Sequence, residues 1–399
     1  MGIRFLLFFF LFSLPGIMCK ESPDVTIIVR GSALAAETND EFVCATIDWW
    51  PPQKCNYNQC PWGKASVFNL DLNHTFLANA IQAFNPLRIR VGGSLQDKVV
   101  YGVENLGYPC EPISKVAGEL FGFSKGCLSM ARWDKLNLLF QKTGAIITFG
   151  LNALHGRHHV RNGVWEGAWN SSNARDFIKY TISKGYPVDS WEFDIFYVSG
   201  NELSGRGIGA SVGAEQYGRD VIVLRNILSE LYKNSTLRPL LLAPGGFYEQ
   251  QWYAKLLQVS GSGVVDGMTH HIYNLGGGND PNIRKKITDP EYLNHIANTF
   301  RDLELTIKRH GPWSSAWVGE AGGAYNSGSP LVSNTFLNSI WYLDQLGMAS
   351  KYNTKAYCRQ TLIGGNYGLL DTETFIPNPD YYRQCIIMAS AYGEGSSFY

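Results

Sequence analysis

Two glutamates, Glu202 and Glu320, each end a short apolar segment of the chain. Glu202 follows Gly200-Asn201, and Glu320 follows Trp317-Val318-Gly319. Two carboxyl groups about 5–5.5 Å apart can cleave a glycosidic bond with retention of configuration, one donating a proton and the other attacking the anomeric carbon. The same residues could instead cap neighbouring loops or form ion pairs. The elements that carry them must decide between these interpretations.

Repeated βα units are indicated from residue 66 onward, where short apolar runs alternate with amphipathic stretches. We predict strands over Leu87–Gly92, Ala145–Gly150, Leu240–Pro244, Gly267–Tyr273 and Ala316–Glu320. We predict helices over Leu70–Phe84, Ser129–Lys142, Ala174–Lys184, Ala214–Lys233, Pro290–Arg309 and Thr335–Ala349. Upstream, Val25–Val29 and Glu41–Asp48 also have the composition of strands, and a loop rich in Pro, Asn and Cys follows them.

Polar residues lie near the ends of several predicted strands or just after them, as Ser94, Asn152, His270 and Glu320 do. This distribution is typical of a (β/α)₈ TIM barrel, where the strand ends at one face share the chemistry. A doubly wound open sheet also fits the alternation. Such a sheet usually carries one glycine-rich phosphate turn, and no G-x-G-x-x-G follows the first predicted strand. We therefore predict a barrel.

The composition is that of a globular chain of 399 residues, with 45% hydrophobic and 13% aromatic residues. Lys plus Arg and Asp plus Glu are equal at 34 each, so no overall field would attract nucleic acid. Nucleic acid is not expected as a partner. An acidic ligand would have to be recognised locally.

The first residues have the layout of a secretory signal peptide, with Arg4, an apolar run over Phe5–Phe12 and then Pro15-Gly16. Cleavage is expected near Cys19 or Lys20; a signal anchor is the alternative, although the run is shorter than the ~20 residues of a membrane span. No membrane span is expected in the mature chain. We expect secretion to the extracellular space or cell wall, or delivery to an endomembrane or vacuolar lumen. Three sequons predict glycosylation at Asn73, Asn170 and Asn234.

Seven cysteines remain without Cys19, and the close pairs Cys55/Cys60 and Cys110/Cys127 could form disulfides in an oxidising compartment. The connectivity cannot be read from the sequence. Zinc binding is the alternative, but neither pair has the two-residue spacing common in zinc sites. No metal and no other cofactor is expected.

Several motifs occur in a fixed order: Arg88–Gly93, Phe149–Leu154, Trp169–Ala174, Gly200–Leu203, His270-His271, Gly319-Glu320, Ala324-Tyr325, Gly364–Tyr367 and Pro377–Tyr382. Together they resemble glycoside hydrolase family 79, the family of heparanase and the plant heparanase-like β-glucuronidases. The similarity extends roughly from Val25 to Tyr382. The resemblance implies a (β/α)₈ barrel with a β-sandwich built from both chain ends. It also implies β-glucuronides as substrates.

The resemblance further implies roles for single residues, with Glu202 as general acid/base and Glu320 as nucleophile. The residues expected to line the glucuronate subsite are Asp48, Ser94, Asn201, Tyr325 and Tyr367, and Asn326 and Ser327 lie in the stretch expected to bind the sugar carboxylate. Backbone N–H groups and a Tyr hydroxyl can bind a carboxylate without a positively charged protein. The expected segments are a signal peptide (1–19), strands of an incomplete sandwich (20–65), the catalytic barrel (66–382) and a divergent tail (383–399).

His270 and Tyr273 are expected near the nucleophile, where either side chain can orient a carboxylate by hydrogen bonding. For His270 and His271, a packed core position in the strand is the competing interpretation. The basic loop from His155 to Arg161 follows the Asn152 strand. It either binds an aglycone or a longer acidic glycan, or it is a solvated loop.

Two departures from the family pattern affect the prediction. Asp194–Ser199 separates Trp191–Phe193 from the Gly200-Asn201-Glu202 motif, so these residues either loop out or supply the strand through Ile195–Val198. After Tyr382 the family pattern ends, so we expect a C-terminally truncated member whose sandwich strands lack partners. The expected function is a retaining hydrolase of terminal or internal β-glucuronides. The alternative is a non-catalytic or misfolded member that at most binds glycans.

Overall fold

Eight parallel strands form a closed barrel in the computed structural model, which describes residues 38, 40–103, 106–107, 109–161, 163–194 and 210–382. In chain order they are β1 (Val43–Ile47), β2 (Arg88–Val91), β3 (Ile146–Asn152), β4 (Ser190–Asp194), β5 (Leu240–Pro244), β6 (Gly267–Ile272), β7 (Ser315–Ala321) and β8 (Thr354–Arg359). Each strand pairs with its neighbours in the chain, and β8 pairs with β1. The predicted barrel is confirmed.

Helices connect the strands and cover the barrel. In the described part of the chain, those of eight residues or more are α1 (Thr75–Gln82), α2 (Met130–Thr143), α3 (Ser172–Ser183), α4 (Ala214–Leu231), α5 (Gln250–Ser260), α6 (Ala297–His310) and α7 (Asn338–Lys351). The predicted helix Pro290–Arg309 is in fact two helices, Pro290–Asn294 and α6. Three short strand pairs lie in the loops: Val99–Gly102 with Gly126–Ser129, His158–Arg161 with Val164–Glu166, and Gly276–Gly277 with Ala324–Tyr325.

Aromatic side chains fill the layer between the barrel and its helices. The ring of Phe149 on β3 lies 5.0 Å from both Trp133 of α2 and Phe177 of α3. Trp191 of β4 lies 5.7 Å from Phe149 and is fully buried. Because successive strand residues point to opposite faces, Glu192, next to Trp191, points into the barrel. The outward faces of the strands therefore carry the apolar core and the inward faces carry polar groups.

The first strand differs from the prediction, which assigned Glu41–Asp48 to a sandwich. Its central part, Val43–Ile47, is β1 of the barrel and pairs with β2 and β8. All five of its residues are buried, as expected for a strand covered on both faces. A disulfide between Cys44 and Cys358 joins β1 to β8. Val25–Val29, the predicted signal peptide and the tail 383–399 lie outside the described residues.

The two disulfides considered from the sequence, Cys55–Cys60 and Cys110–Cys127, are both present. The first closes the loop that follows β1. The second links the loop after β2 to the short strand Gly126–Ser129. The Cys44–Cys358 disulfide has a sequence separation of 314 residues, and no local pattern could have indicated it.

The fourth barrel strand keeps Trp191–Phe193 and ends at Asp194, the first residue of the departure from the family pattern. The alternative in which Ile195–Val198 replaces this strand is therefore wrong. Residues 195–209 lie outside the described residues, and this segment includes Asn201 and Glu202. The chain is described again from Ala210, before α4.

Candidate active site

Glu320 lies near the C-terminal end of β7 and is 2% exposed. Its Oε1 accepts a hydrogen bond from the Tyr273 hydroxyl at 2.5 Å, and its Oε2 lies 3.2 Å from Nη1 of Arg90. Burial raises the pKa of Glu320, while Arg90 and the Tyr273 hydrogen bond lower it and so offset part of that rise. The hydrogen bond expected from Tyr273 is thus present. Groups from β2 and from the end of β6 orient both oxygens of Glu320.

Arg90 of β2 connects the carboxylates inside the barrel. Its Nε contacts Glu192, its Nη2 contacts Asp194 and its Nη1 contacts Glu320. All four side chains are almost completely buried. Burial alone would lower the pKa of Arg90, but the three carboxylates raise it above its usual value. A buried guanidinium therefore stays charged beside Glu320 and holds its carboxylate in place.

Asp48 follows β1 and is 1% exposed. Its Oδ1 accepts a hydrogen bond from the backbone N–H of Trp49 at 2.6 Å, and its Oδ2 accepts one from Nε2 of Gln360 at 2.7 Å. Burial, followed by the charge of Glu320, raises the pKa of Asp48 to about 7. Gly93 has φ +141°, and a Cβ there would lie 2.3 Å from Oδ1 of Asp48. Only glycine therefore lets the turn after β2 approach this carboxylate.

The loop Tyr325–Ser327 follows β7 and is attached to the loop after β1. Ser327 Oγ accepts a hydrogen bond from Trp62 Nε1 and donates one to Asn56 Oδ1, both at 2.9 Å. Asn326 Nδ2 donates to the Tyr57 hydroxyl at 3.1 Å. Asn326 and Ser327 have φ of 58° and 71°, a strained conformation for residues with side chains. The loop is therefore held in one unusual backbone shape.

Four of the predicted site residues form one group: Asp48, Tyr273, Glu320 and Tyr367. Burial, followed by the charges of Glu320 and Asp48, raises the pKa of Tyr367. A Cβ on Gly322 would lie 2.7 Å from the Tyr273 ring and 3.1 Å from the Tyr367 ring, so both rings pack against this glycine. Ser94 is buried in the turn after Gly93. The predicted roles of Asn201 and Glu202 stay predictions, because both lie outside the described residues.

His270 does not join this group, so its expected place beside the nucleophile is wrong. Its ring is fully buried and lies edge-on to Phe300 of α6, with centroids 5.6 Å apart. Burial lowers its pKa to about 3. The neighbouring His271 points the other way, with Nε2 3.8 Å from Oδ2 of Asp194. The competing interpretation, a packed strand histidine, holds for His270.

Arg90, Glu192, Asp194 and Gln360 were not identified as site residues from the sequence. A signal was available for the first two, because Arg90 and Glu192 occupy strand positions where an apolar residue would be expected in a packed core. A charge inside a predicted barrel strand indicates a partner of opposite charge. No sequence pattern indicated Gln360, because its place in the site depends on where β8 ends.

A cleft of about 470 Å³ lies between the loops that follow β2 and β3. Its lining includes Lys98, Phe121, Lys125, Asn152, His155 and Trp165. Arg157 of the basic loop also reaches the cleft, but its guanidinium is occupied by Asp220 and by the carbonyls of Ala153 and Gly167. Asn152, one of the lining residues, pairs in register with Asp194, which contacts Arg90.

Within the described ranges, no group of three or more His, Cys, Asp or Glu side chains is arranged to hold a metal ion. In that same part of the chain, no helix combines the length and the apolar character that crossing a membrane requires.

A family model and the sequence relatives indicate one family. Residues 24–347 match the family described as Glycosyl hydrolase family 79, N-terminal domain. Heparanase-like protein 1 of Arabidopsis thaliana is 61% identical over 366 residues, which cover 92% of this chain and 66% of that protein. Baicalin-beta-D-glucuronidase of Scutellaria baicalensis is 39% identical over 374 residues, covering 90% of this chain and 69% of that protein. The chain therefore spans about two thirds of the length of these relatives.

Among solved structures, a 4-O-alpha-L-rhamnosyl-beta-D-glucuronidase from Fusarium oxysporum 12S superposes with a TM-score of 0.59. It is 16% identical in sequence, and the match covers 90% of this chain and 71% of that chain. At this identity the similarity concerns the fold, and it agrees with the closed barrel described above.

Proposed function

Since the chain belongs to glycosyl hydrolase family 79, we propose that it hydrolyses β-glucuronides with retention of configuration. The substrate is terminal or internal glucuronic acid of a glycan, or a small-molecule glucuronide. Glu320 is the nucleophile and Glu202 the general acid/base. The observation that carries the proposal is the buried Glu320 carboxylate, which Tyr273 and Arg90 orient at the end of β7.

The proposed reaction has two displacements. Glu320 attacks the anomeric carbon while Glu202 donates a proton to the leaving oxygen, and a glycosyl ester forms on Glu320. Water then attacks the ester, with Glu202 accepting its proton. Arg90 and Tyr273 favour the ionised form of Glu320 that the first step needs.

Recognition of the glucuronate is assigned to the groups around Glu320. The strained loop at Asn326 and Ser327 and the Tyr325 and Tyr367 hydroxyls are proposed to bind the sugar carboxylate, because N–H and O–H donors suit an anion. With a pKa near 7, Asp48 can both donate and accept a hydrogen bond to a sugar hydroxyl at neutral pH. The name of the Scutellaria relative, a β-D-glucuronidase, supports this substrate class.

We also propose that the chain enters the secretory pathway and works either in the extracellular space or cell wall, or in an endomembrane or vacuolar lumen. The disulfides Cys44–Cys358, Cys55–Cys60 and Cys110–Cys127 support this proposal, because such bonds persist mainly in oxidising compartments. The asparagines of all three sequons, Asn73, Asn170 and Asn234, are exposed.

A panel of 4-nitrophenyl β-glycosides tests the substrate class directly. Purified protein should release 4-nitrophenol from the β-D-glucuronide and far more slowly from the β-D-glucoside, β-D-galactoside and β-D-xyloside. Glu320→Gln should abolish the reaction, because the amide keeps the size of the side chain but cannot attack. Glu230→Gln is the matched control, since Glu230 is an exposed partner of Arg175.

The outcomes separate the alternatives. Faster cleavage of a neutral glycoside would indicate another retaining β-glycosidase of this barrel type. A folded wild-type protein that binds glucuronides without hydrolysing them would indicate a non-catalytic member. The non-catalytic alternative has less support, because Asp48, Tyr273, Glu320 and Tyr367 converge in one place.

A further inference from the structure

Asp194 ends β4 and is 1% exposed inside the barrel. Its Oδ2 contacts Nη2 of Arg90 and lies 3.8 Å from Nε2 of His271. Its Oδ1 has no hydrogen-bond partner among the described residues.

The cluster is unbalanced in charge, because one guanidinium faces three buried carboxyl groups, those of Glu192, Asp194 and Glu320. Burial and the adjacent Arg90 lower the pKa of His271 well below its usual range, so this ring adds no positive charge. Other titratable groups around Asp194, among the described residues, are Asp97 of the loop after β2, Tyr217 of α4 and Tyr253 of α5. Burial raises the pKa of both tyrosines, so they stay neutral.

We propose that Asp194 is a positioning residue for Glu320: it holds Nη2 of Arg90 and thereby sets the lowest pH at which Glu320 is ionised. This inference rests on the proposed function, since it gives Glu320 the role of nucleophile. The physical reason is that buried charges interact strongly. A carboxylate bound to the same guanidinium both competes for its positive charge and repels the charge of Glu320.

The surroundings of Asp194 support this role. Gly245 after β5 has φ +75°, and a Cβ there would lie 1.7 Å from Oδ1 of Asp194. The backbone at Gly245 therefore packs closely against the Asp194 carboxyl group. Burial, followed by the charge of Glu192, raises the pKa of Asp194 well above its usual value, and Glu320 adds to this rise. Electrostatic coupling is mutual, so a charge on Asp194 makes ionisation of Glu320 harder in return.

The test is the pH profile of kcat/KM on 4-nitrophenyl β-D-glucuronide for Asp194→Asn. Removing one negative charge lowers the pKa of Glu320, so the acid limb should move to lower pH by about one unit. Asp189→Asn is the matched control. Asp189 precedes the same strand and pairs with Arg88, the other arginine of β2, outside the site. The acid limb of the Asp189→Asn profile should coincide with that of the wild type. If the acid limb of the Asp194→Asn profile does not move, or moves to higher pH, the proposal is overturned.

Two further measurements keep the outcome decisive. If Asp194→Asn does not fold, Asp194→Gly removes the same charge without introducing a new group, and the same shift is expected. Infrared titration of the protonated carboxyl band needs no turnover. In the wild type the protonated band of Glu320, identified by its loss in Glu320→Gln, should titrate with the acid limb; in Asp194→Asn it should titrate at lower pH, and in Asp189→Asn it should match the wild type. An unchanged band refutes the inference even if the protein proves inactive, whereas inactivity with the expected band change refutes only the proposed function.

Discussion

At the scale of single residues, the site contains carboxyl groups whose surroundings differ. Glu320 has a charged donor, Arg90, and a hydroxyl donor, Tyr273. Asp48 has two neutral donors, a backbone N–H and the Gln360 amide. Both groups are buried, so the donors decide which is more easily ionised. This contrast suits Glu320 as the attacking group and Asp48 as a group that binds a sugar hydroxyl.

We expect Tyr273→Phe to lower kcat/KM on 4-nitrophenyl β-D-glucuronide by about 10- to 100-fold, since a hydrogen bond to a charged group contributes roughly 1.5–3 kcal/mol. Loss of this hydrogen bond raises the pKa of Glu320 further, so the loss of activity should be greatest at acid pH. Initial rates from pH 4 to pH 8 measure both effects.

The matched control for that substitution is Tyr248→Phe. Its hydroxyl contacts Asp302 and Thr306 of α6, outside the barrel, and its activity profile should match the wild type. If Tyr273→Phe were as active as Tyr248→Phe at every pH, the hydrogen bond to Glu320 would have no part in the reaction.

Sequence reasoning at this scale found the residues that end predicted strands, such as Glu320 and Tyr273. It did not find the ion pairs inside the barrel, because the partners of Arg90 come from β4 and β7, more than 100 residues further along the chain. It misplaced His270 because His270 and His271 are neighbours in one motif. A register irregularity at that pair accompanies their opposite placement.

At the scale of elements, closure of the barrel depends on β1 and β8. These strands come from opposite ends of the described chain and pair over only three positions, Val43–Ala45 with Tyr357–Arg359. The Cys44–Cys358 disulfide lies in the middle of this pairing. It closes a long loop of chain, which restricts the unfolded state strongly.

Replacing Cys44 and Cys358 together by alanine should lower the free energy of unfolding by about 2–5 kcal/mol. The control is the paired replacement of Cys55 and Cys60, which are only 5 residues apart and therefore restrict the unfolded chain much less. Urea unfolding followed by circular dichroism measures both variants. Equal unfolding midpoints for the two paired variants would contradict a special role for the β1–β8 link.

Five strands were predicted to within two residues at either end, because each is a short segment that separates stretches of helical or turn pattern: β2, β3, β5, β6 and β7. The assignment of β1 could not be made in the same way. Whether a buried strand joins a barrel or a sandwich depends on its pairing partners, and the partner of β1 lies at the far end of the chain.

At the scale of the whole molecule, the exposed sequons allow the proposed export to be tested. Secreted protein from a eukaryotic host should carry N-glycans at Asn73, Asn170 and Asn234, visible as a mass decrease after enzymatic deglycosylation. Thr236→Val should remove one glycan, because it destroys the sequon of Asn234 without changing the glycosylated residue. Protein that accumulates unglycosylated in the cytosol would contradict the proposed route.

The central claim is that Glu320 is the nucleophile of a retaining β-glucuronidase, and covalent trapping tests it most directly. An activated 2-deoxy-2-fluoro-β-glucuronide should inactivate the purified protein, because the fluorine slows hydrolysis of the glycosyl ester. Mass spectrometry of the digested protein should then place one sugar on the peptide that contains Glu320. A label on the Glu192 or Asp194 peptide, or turnover of β-glucuronide with no trapped ester, would contradict the account.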